Sequence, residues 1–109
     1  MRFLLIPLLL LSGLAQAANM TAAEQASAKE LAQASGCLSC HALTEKIVGP
    51  SYSSVADKYK ADSDAVSSLA QSIQYGSKGK WGRIPMPAHP SLSPEDLKTL
   101  AAWVLTVKK

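Results

Sequence analysis

Only two cysteines, two histidines and one phenylalanine occur among 109 residues, and each shortage narrows what the chain can be. A structural zinc centre needs four ligands of Cys or His type, but there is no third cysteine, and His89 is the only histidine besides His41. A thioredoxin-type redox pair belongs beside a βαβ unit, and no stretch here alternates apolar and polar residues with strand period. The longest apolar run, Phe3 to Leu11, stops at Ser12 and Gly13. That is well short of the roughly 20 residues a spanning helix requires, which disfavours a membrane anchor. The formal net charge is +3, and no run of five or six like charges suggests a nucleic-acid tail.

The two cysteines that are present stand in the string Cys37-Leu38-Ser39-Cys40-His41. Read as C-x-x-C-H, this is the attachment pattern for a c-type haem. Two thiols separated by two residues can add as thioethers to two vinyl groups on one porphyrin edge. The next residue, His41, is then held over the iron, where an imidazole nitrogen is a good ligand. The expected cofactor is therefore one covalent haem c.

Residues Met1 to Ala17 have the features of a secretory signal peptide: an early positive charge at Arg2, the apolar run, then Ala15-Gln16-Ala17 as a small-residue cleavage site. Cleavage there leaves one small domain of 92 residues, 18–109, whose formal charge is +2. Export suits covalent haem and thiol chemistry, so the expected location is a bacterial periplasm. A domain this small has a limited core of its own, which the haem is expected to complete.

Four helices are expected. Thr21 and Glu24 form a T-x-x-E capping box that opens a helix running to about Gly36. Its interior is rich in alanine, with Leu31 the only large apolar side chain, which suggests close approach to another helix. After a loop over Ala42–Gly49 and Pro50, the residues Tyr52, Val55, Ala56 and Tyr59 give an apolar face from about Ser51 to Lys60. Val66, Leu69, Ala70 and Ile73 repeat the spacing from about Asp62 to Tyr75, with Asp62 or Ser63 as cap and Gly76 as stop. Gly79, Gly82, Pro85, Pro87 and Pro90 make residues 77–90 a long, stiff loop. Ser93 and Pro94 then open a last helix whose face is Leu97, Leu100, Ala101 and Val104, widened by Trp103 and Val107.

The sixth ligand decides between electron transfer, gas binding and catalysis. Met86 lies 45 residues beyond His41, between Pro85 and Pro87, a stiffness that ordinary packing does not need. Met20 and His89 are weaker candidates. A thioether favours ferrous over ferric iron relative to a second imidazole, so His/Met ligation raises the potential. With both axial positions filled, the expectation is a one-electron carrier and no enzyme. The alternatives are a peroxidase, an oxidoreductase subunit or a gas sensor in which Met86 leaves the iron.

The chain resembles the small bacterial class I cytochromes c of the c-551 type. The resemblance rests on Gly36-Cys37-x-x-Cys40-His41, Val48-Gly49-Pro50, Tyr52 with Val55-Ala56, and Gly76-Ser77. Trp81-Gly82-x-Ile84-Pro85-Met86-Pro87 and Leu100-Ala101-x-Trp103-Val104-Leu105 complete it. It implies an all-α class I cytochrome c fold, about four helices wrapped around one covalently bound haem, with thioethers at Cys37 and Cys40, proximal His41 and distal Met86. It also implies that the Pro50 carbonyl accepts the His41 ring N–H, and that the Trp81 indole donates to a haem propionate. Three features depart from the family pattern. Ala88-His89-Pro90 follows Pro87 where relatives can place an asparagine, Ser72 stands where a basic residue can contact a propionate, and the first helix lacks an aromatic residue.

The expected partners are larger redox proteins, donors and acceptors, met by a monomer through a small transient interface of about 1,200 Å² or less near the haem edge. Lys46, Lys78, Lys80 and Arg83, the basic residues in the loops nearest the ligands, are the expected steering charges. Neither nucleic-acid binding nor stable membrane insertion is expected.

Overall fold

The computed structural model describes residues 19–109; the expected signal peptide at residues 1–17 and its cleavage lie outside them. Four α-helices are present: α1 (Ala22–Ala34), α2 (Tyr52–Tyr59), α3 (Ala65–Tyr75) and α4 (Pro94–Val104), with a 3₁₀ turn at Cys37–Ser39. No strand occurs among the described residues, only one isolated pairing of Ser77 with Met86.

The capping box forms as the sequence predicts. The Glu24 N–H donates to Thr21 Oγ1 and the Thr21 N–H to Glu24 Oε1, both at 3.1 Å. α1 ends two residues before Gly36, which takes φ +78°, a left-handed turn that costs glycine little. Ser51 caps α2 by accepting from the Ser54 N–H, and Ser93 caps α4 by accepting from the Asp96 N–H, with Pro94 in the first turn.

The start of α3 differs from expectation. Asp62 Oδ1 accepts the Asp64 N–H at 2.8 Å, and this local turn competes with helix over Asp62–Asp64. Asp64 becomes the N-cap, without a side-chain cap bond, and the helix begins at Ala65.

α4 packs against α1, α2 and α3. Ala28 and Ala32 of α1 are completely buried beside Leu100, Ala101, Trp103 and Val104 of α4. Methyl-sized side chains let two helix backbones approach closely, which is what the alanine-rich first helix predicts. Tyr52 and Val55 of α2 and Leu69 of α3 join the same core. The Tyr52 ring meets Trp103 edge-on, with centroids 5.3 Å apart and planes at 74°. Val66, Ala70 and Ile73 are only partly buried, and Ile73 lines, with Leu69 and Ser72, a cavity that α4 does not fill.

Candidate functional site

The first wall of the cavity comes from Cys37 to Pro50. Turning out of α1 at Gly36, the chain makes one tight turn in which the N–H groups of Cys40 and His41 both reach Cys37 O, at 3.2 and 3.0 Å. That single turn presents two sulfurs and one imidazole together. Both thiols are free and half-buried. Burial pushes the Cys37 thiol above its ordinary pKa, partly offset by a hydrogen bond with the Tyr52 hydroxyl. Tyr52 itself is pushed up by burial and by Cys37. Both groups are therefore neutral at physiological pH.

His41 is fixed from three directions. Its Nδ1 lies 2.7 Å from the Pro50 carbonyl oxygen. A carbonyl only accepts, so Nδ1 carries the proton and Nε2 of a neutral imidazole keeps its lone pair for another partner. Tyr52 stacks on the ring at 4.8 Å between centroids, with planes 19° apart. A Cβ added at Gly49 would come within 2.6 Å of His41 Cε1, so only glycine lets the backbone lie this near the imidazole. Bonds from Gly49 N to Cys40 O, Tyr52 N to Ala42 O and Ser53 N to Leu43 O strap this loop to the start of α2.

The opposite wall is the loop 77–90. Ser77 and Met86 exchange two backbone hydrogen bonds, 3.1 and 2.8 Å, which close the loop at its neck. Gly76, with φ +81°, sits directly under that neck: a Cβ there would be 2.6 Å from Met86 O. Its role is thus more than stopping α3. Beyond Met86, the His89 N–H donates to Ile73 O at 3.0 Å and His89 Nδ1 lies 3.3 Å from the same oxygen. Side chains of two helices reach the loop as well. Lys80 Nζ donates to Ser72 Oγ of α3 at 3.2 Å, and Lys58 Nζ of α2 stands 4.5 Å from the centre of the Trp81 ring.

Cys37, Cys40, His41, Pro50, Trp81 and Met86, the six residues singled out from sequence, all line this one cavity. Met20 does not; it lies beside Ala23, Glu24, Ser27 and Thr99. His89 also stands outside the lining, bonded to the end of α3. Of the four loop cations, Lys80 lines the cavity while Lys46, Lys78 and Arg83 do not. The sequence did not signal the Ser77–Met86 pairing or the contacts of Lys58 and Ser72. Lys58 and Trp81 are 23 residues apart, and the Ser72–Lys80 and Ser77–Met86 contacts are made across an irregular loop that carries no period to reveal them.

The cavity walls suit a haem. They are mostly apolar, with Val55, Leu69, Ile73, Leu100 and Val104 among them, and Val48 and Ile84 turn to the cavity while 46% and 67% exposed. The donor set, two adjacent free thiols with an imidazole on one side and a thioether on the other wall, matches what a covalent c-type haem uses.

Comparison with known proteins agrees. Residues 25–108 match the Cytochrome c family. The chain is 49% identical over 80 residues to cytochrome c-551 of Pseudomonas denitrificans, covering 73% of this chain and 96% of that protein. It is 44% identical to the crystal structure of wild-type cytochrome c552 from Nitrosomonas europaea, with a TM-score of 0.71 over 73% of this chain and 99% of that one. The class 1 cytochrome MtoD from Sideroxydans lithotrophicus is a more distant neighbour, 32% identical with a TM-score of 0.67 over 77% and 96% of the two chains.

Proposed function

The chain belongs to the cytochrome c family, as a class I monohaem electron-transfer cytochrome of the c-551 type with covalent haem c, and from that premise we propose how its own residues hold the iron and what it serves. Cys37 and Cys40 form the two thioethers, and His41 and Met86 are the axial ligands. One observation carries this reading: these four side chains, distant in the chain as two groups, converge on a single apolar cavity.

When bound, the haem supplies a one-electron ferric–ferrous couple. The protein sets how that couple behaves. Pro50 O, by holding the proton on His41 Nδ1, directs Nε2 toward the metal and strengthens its donation. Gly49 and Tyr52 keep the ring from rotating as the charge changes. Pro85 and Pro87, with the Ser77–Met86 pairing, hold the Met86 sulfur where a flexible loop would let it drift. Trp81, which lines the cavity, would give its indole N–H to a haem carboxylate. Filling both axial positions leaves no open site for substrate, so the protein transfers electrons without catalysing a reaction of its own.

The proposed setting is a bacterial periplasm, reached by export on residues 1–17. No described helix is long and apolar enough to cross a membrane. There a monomer would shuttle single electrons between larger redox proteins through a brief, small interface near the haem edge, steered mildly by Lys46, Lys78 and Arg83.

Visible spectroscopy of the purified holoprotein tests the ligation. The oxidised form should show a weak sulfur-to-iron band toward the red, and the ferrous form should leave its Soret band unchanged under carbon monoxide. Rapid carbon monoxide binding by the unaltered protein would support instead a gas sensor or an enzyme in which Met86 dissociates.

A further inference from the structure

Loop 77–90 holds a charge whose surroundings are unlike those of its neighbours. Lys80 is the only lysine or arginine among the residues lining the cavity, and no aspartate or glutamate lines it. Among the described residues the only ion pair is Lys60 with Asp57, at 3.2 Å on the outer surface of α2, so the protein gives Lys80 no carboxylate of its own. Its Nζ is nevertheless held in place, 3.2 Å from Ser72 Oγ. The Ser72 hydroxyl proton is committed to Ser68 O, also at 3.2 Å, which leaves an oxygen lone pair for the ammonium. An ammonium has three protons, and this bond uses one. Next to it stands Trp81, whose indole has one N–H to give and whose ring is faced by a second ammonium, Lys58.

A haem is an apolar disc with two carboxylates on one edge. Placing those carboxylates against the apolar walls would cost several kcal/mol per unpaired charge, so they must lie where the cavity offers cations and donors. Lys80 is the one cation that the lining offers, and Trp81 beside it adds an indole donor. Resting on the haem-binding reading above, we infer that Lys80, positioned by the Ser72 hydroxyl, is the cationic partner of a haem carboxylate. Lys80 is then a cofactor-binding residue, not one of the docking charges. Ser72 acts through it as a positioning residue.

The pairing has an electrical signature. A cation beside the carboxylate favours the reduced haem, which carries one positive charge fewer, so its removal lowers the reduction potential. Equilibrium redox titration of the holoprotein at fixed pH tests this with five variants. Lys80→Gln should lower the potential, more at low ionic strength than at high. Lys80→Arg should stay near the unaltered protein. Lys78→Gln, which removes the same charge from the same loop outside the cavity, should shift the potential less than Lys80→Gln. Ser72→Ala keeps every charge yet should shift the potential in the same direction, and adding it to Lys80→Gln should change nothing further. Equal shifts for Lys78→Gln and Lys80→Gln, or an unaltered potential in Ser72→Ala, would overturn the assignment. Failure of the underlying haem reading is separable, because it appears in the unaltered protein as a missing covalent haem mass or a missing sulfur-to-iron band.

Discussion

The segment Cys37–Pro50 and the loop 77–90 face each other across one cavity, yet the first is oriented by its neighbours in sequence, whereas the second adds to its own Ser77–Met86 pairing contacts from two helices. In the first, every bond that orients His41 comes from within about a dozen residues: the turn at Cys37, the Pro50 carbonyl, Gly49 and the Tyr52 ring. In the second, Met86 is held by Ser77, Lys80 by Ser72 of α3, and Trp81 is faced by Lys58 of α2. A ligand with local support can be in place before the fold is complete. A loop that also leans on Ser72 and Lys58 settles only once α2 and α3 stand correctly.

The sharpest way to break the comparison is at the thiols. Replacing Cys37 and Cys40 together by alanine should abolish covalent haem entirely, read as a denatured mass equal to that of the bare polypeptide. No substitution in the loop should do so. Met86→Ala should instead keep the haem, lower the potential and open the iron to carbon monoxide, whereas Met86→His should lower the potential without opening it. Should Met86→Ala leave both spectrum and potential unchanged, the loop does not supply the ligand and the two-wall account fails.

The two close-packed glycines sharpen the contrast at lower energy. Gly76→Ala forces a Cβ onto Met86 O, a backbone atom held by the paired neck, at a left-handed φ of +81°. It should cost about 1–3 kcal/mol in chemical denaturation and disturb the sulfur-to-iron band along with stability. Gly49→Ala meets a side chain, the His41 ring, rather than backbone. It should push the imidazole from Pro50 O and shift the spectrum and potential more than the denaturation midpoint. Equal stability losses at the two sites would mean that both walls are equally rigid.

Smallest is the cap of α1, which touches neither wall. Thr21→Ala should cost about 1 kcal/mol of stability with the potential unchanged. Bonds from Thr21 hold Glu24 below the usual carboxylate range, so its contribution is present at neutral pH and is lost as pH falls through that depressed value. Denaturation of Glu24→Gln beside the unaltered protein should therefore converge in acid.

The same division explains what could be read from the sequence. The string Cys37–His41, the caps at Thr21 and Ser93, and the apolar faces of α2 and α4 are local patterns, and each corresponds to a formed element. The beginning of α3 was misplaced by local chemistry too, since an aspartate two residues before Asp64 serves a turn as readily as a cap. Gly76 could be read as a helix stop but not as the floor under Met86, because that contact is made ten residues further on. Lys58 and Ser72 gave no signal: a lysine and a serine on helix surfaces look like any others until the loop folds against them.

The burial of Ala28 and Ala32 against α4 makes closing the core a long-range event. α1 and α4 lie at opposite ends of the described chain, so their contact closes a loop of about 60 residues, and a contact of that sequence separation is slow to form. Until α4 docks, those alanines have no partner. On the proposed attachment at Cys37 and Cys40, both sulfurs stay reachable until that slow contact forms, and the docking of the last helix then shuts the core behind them.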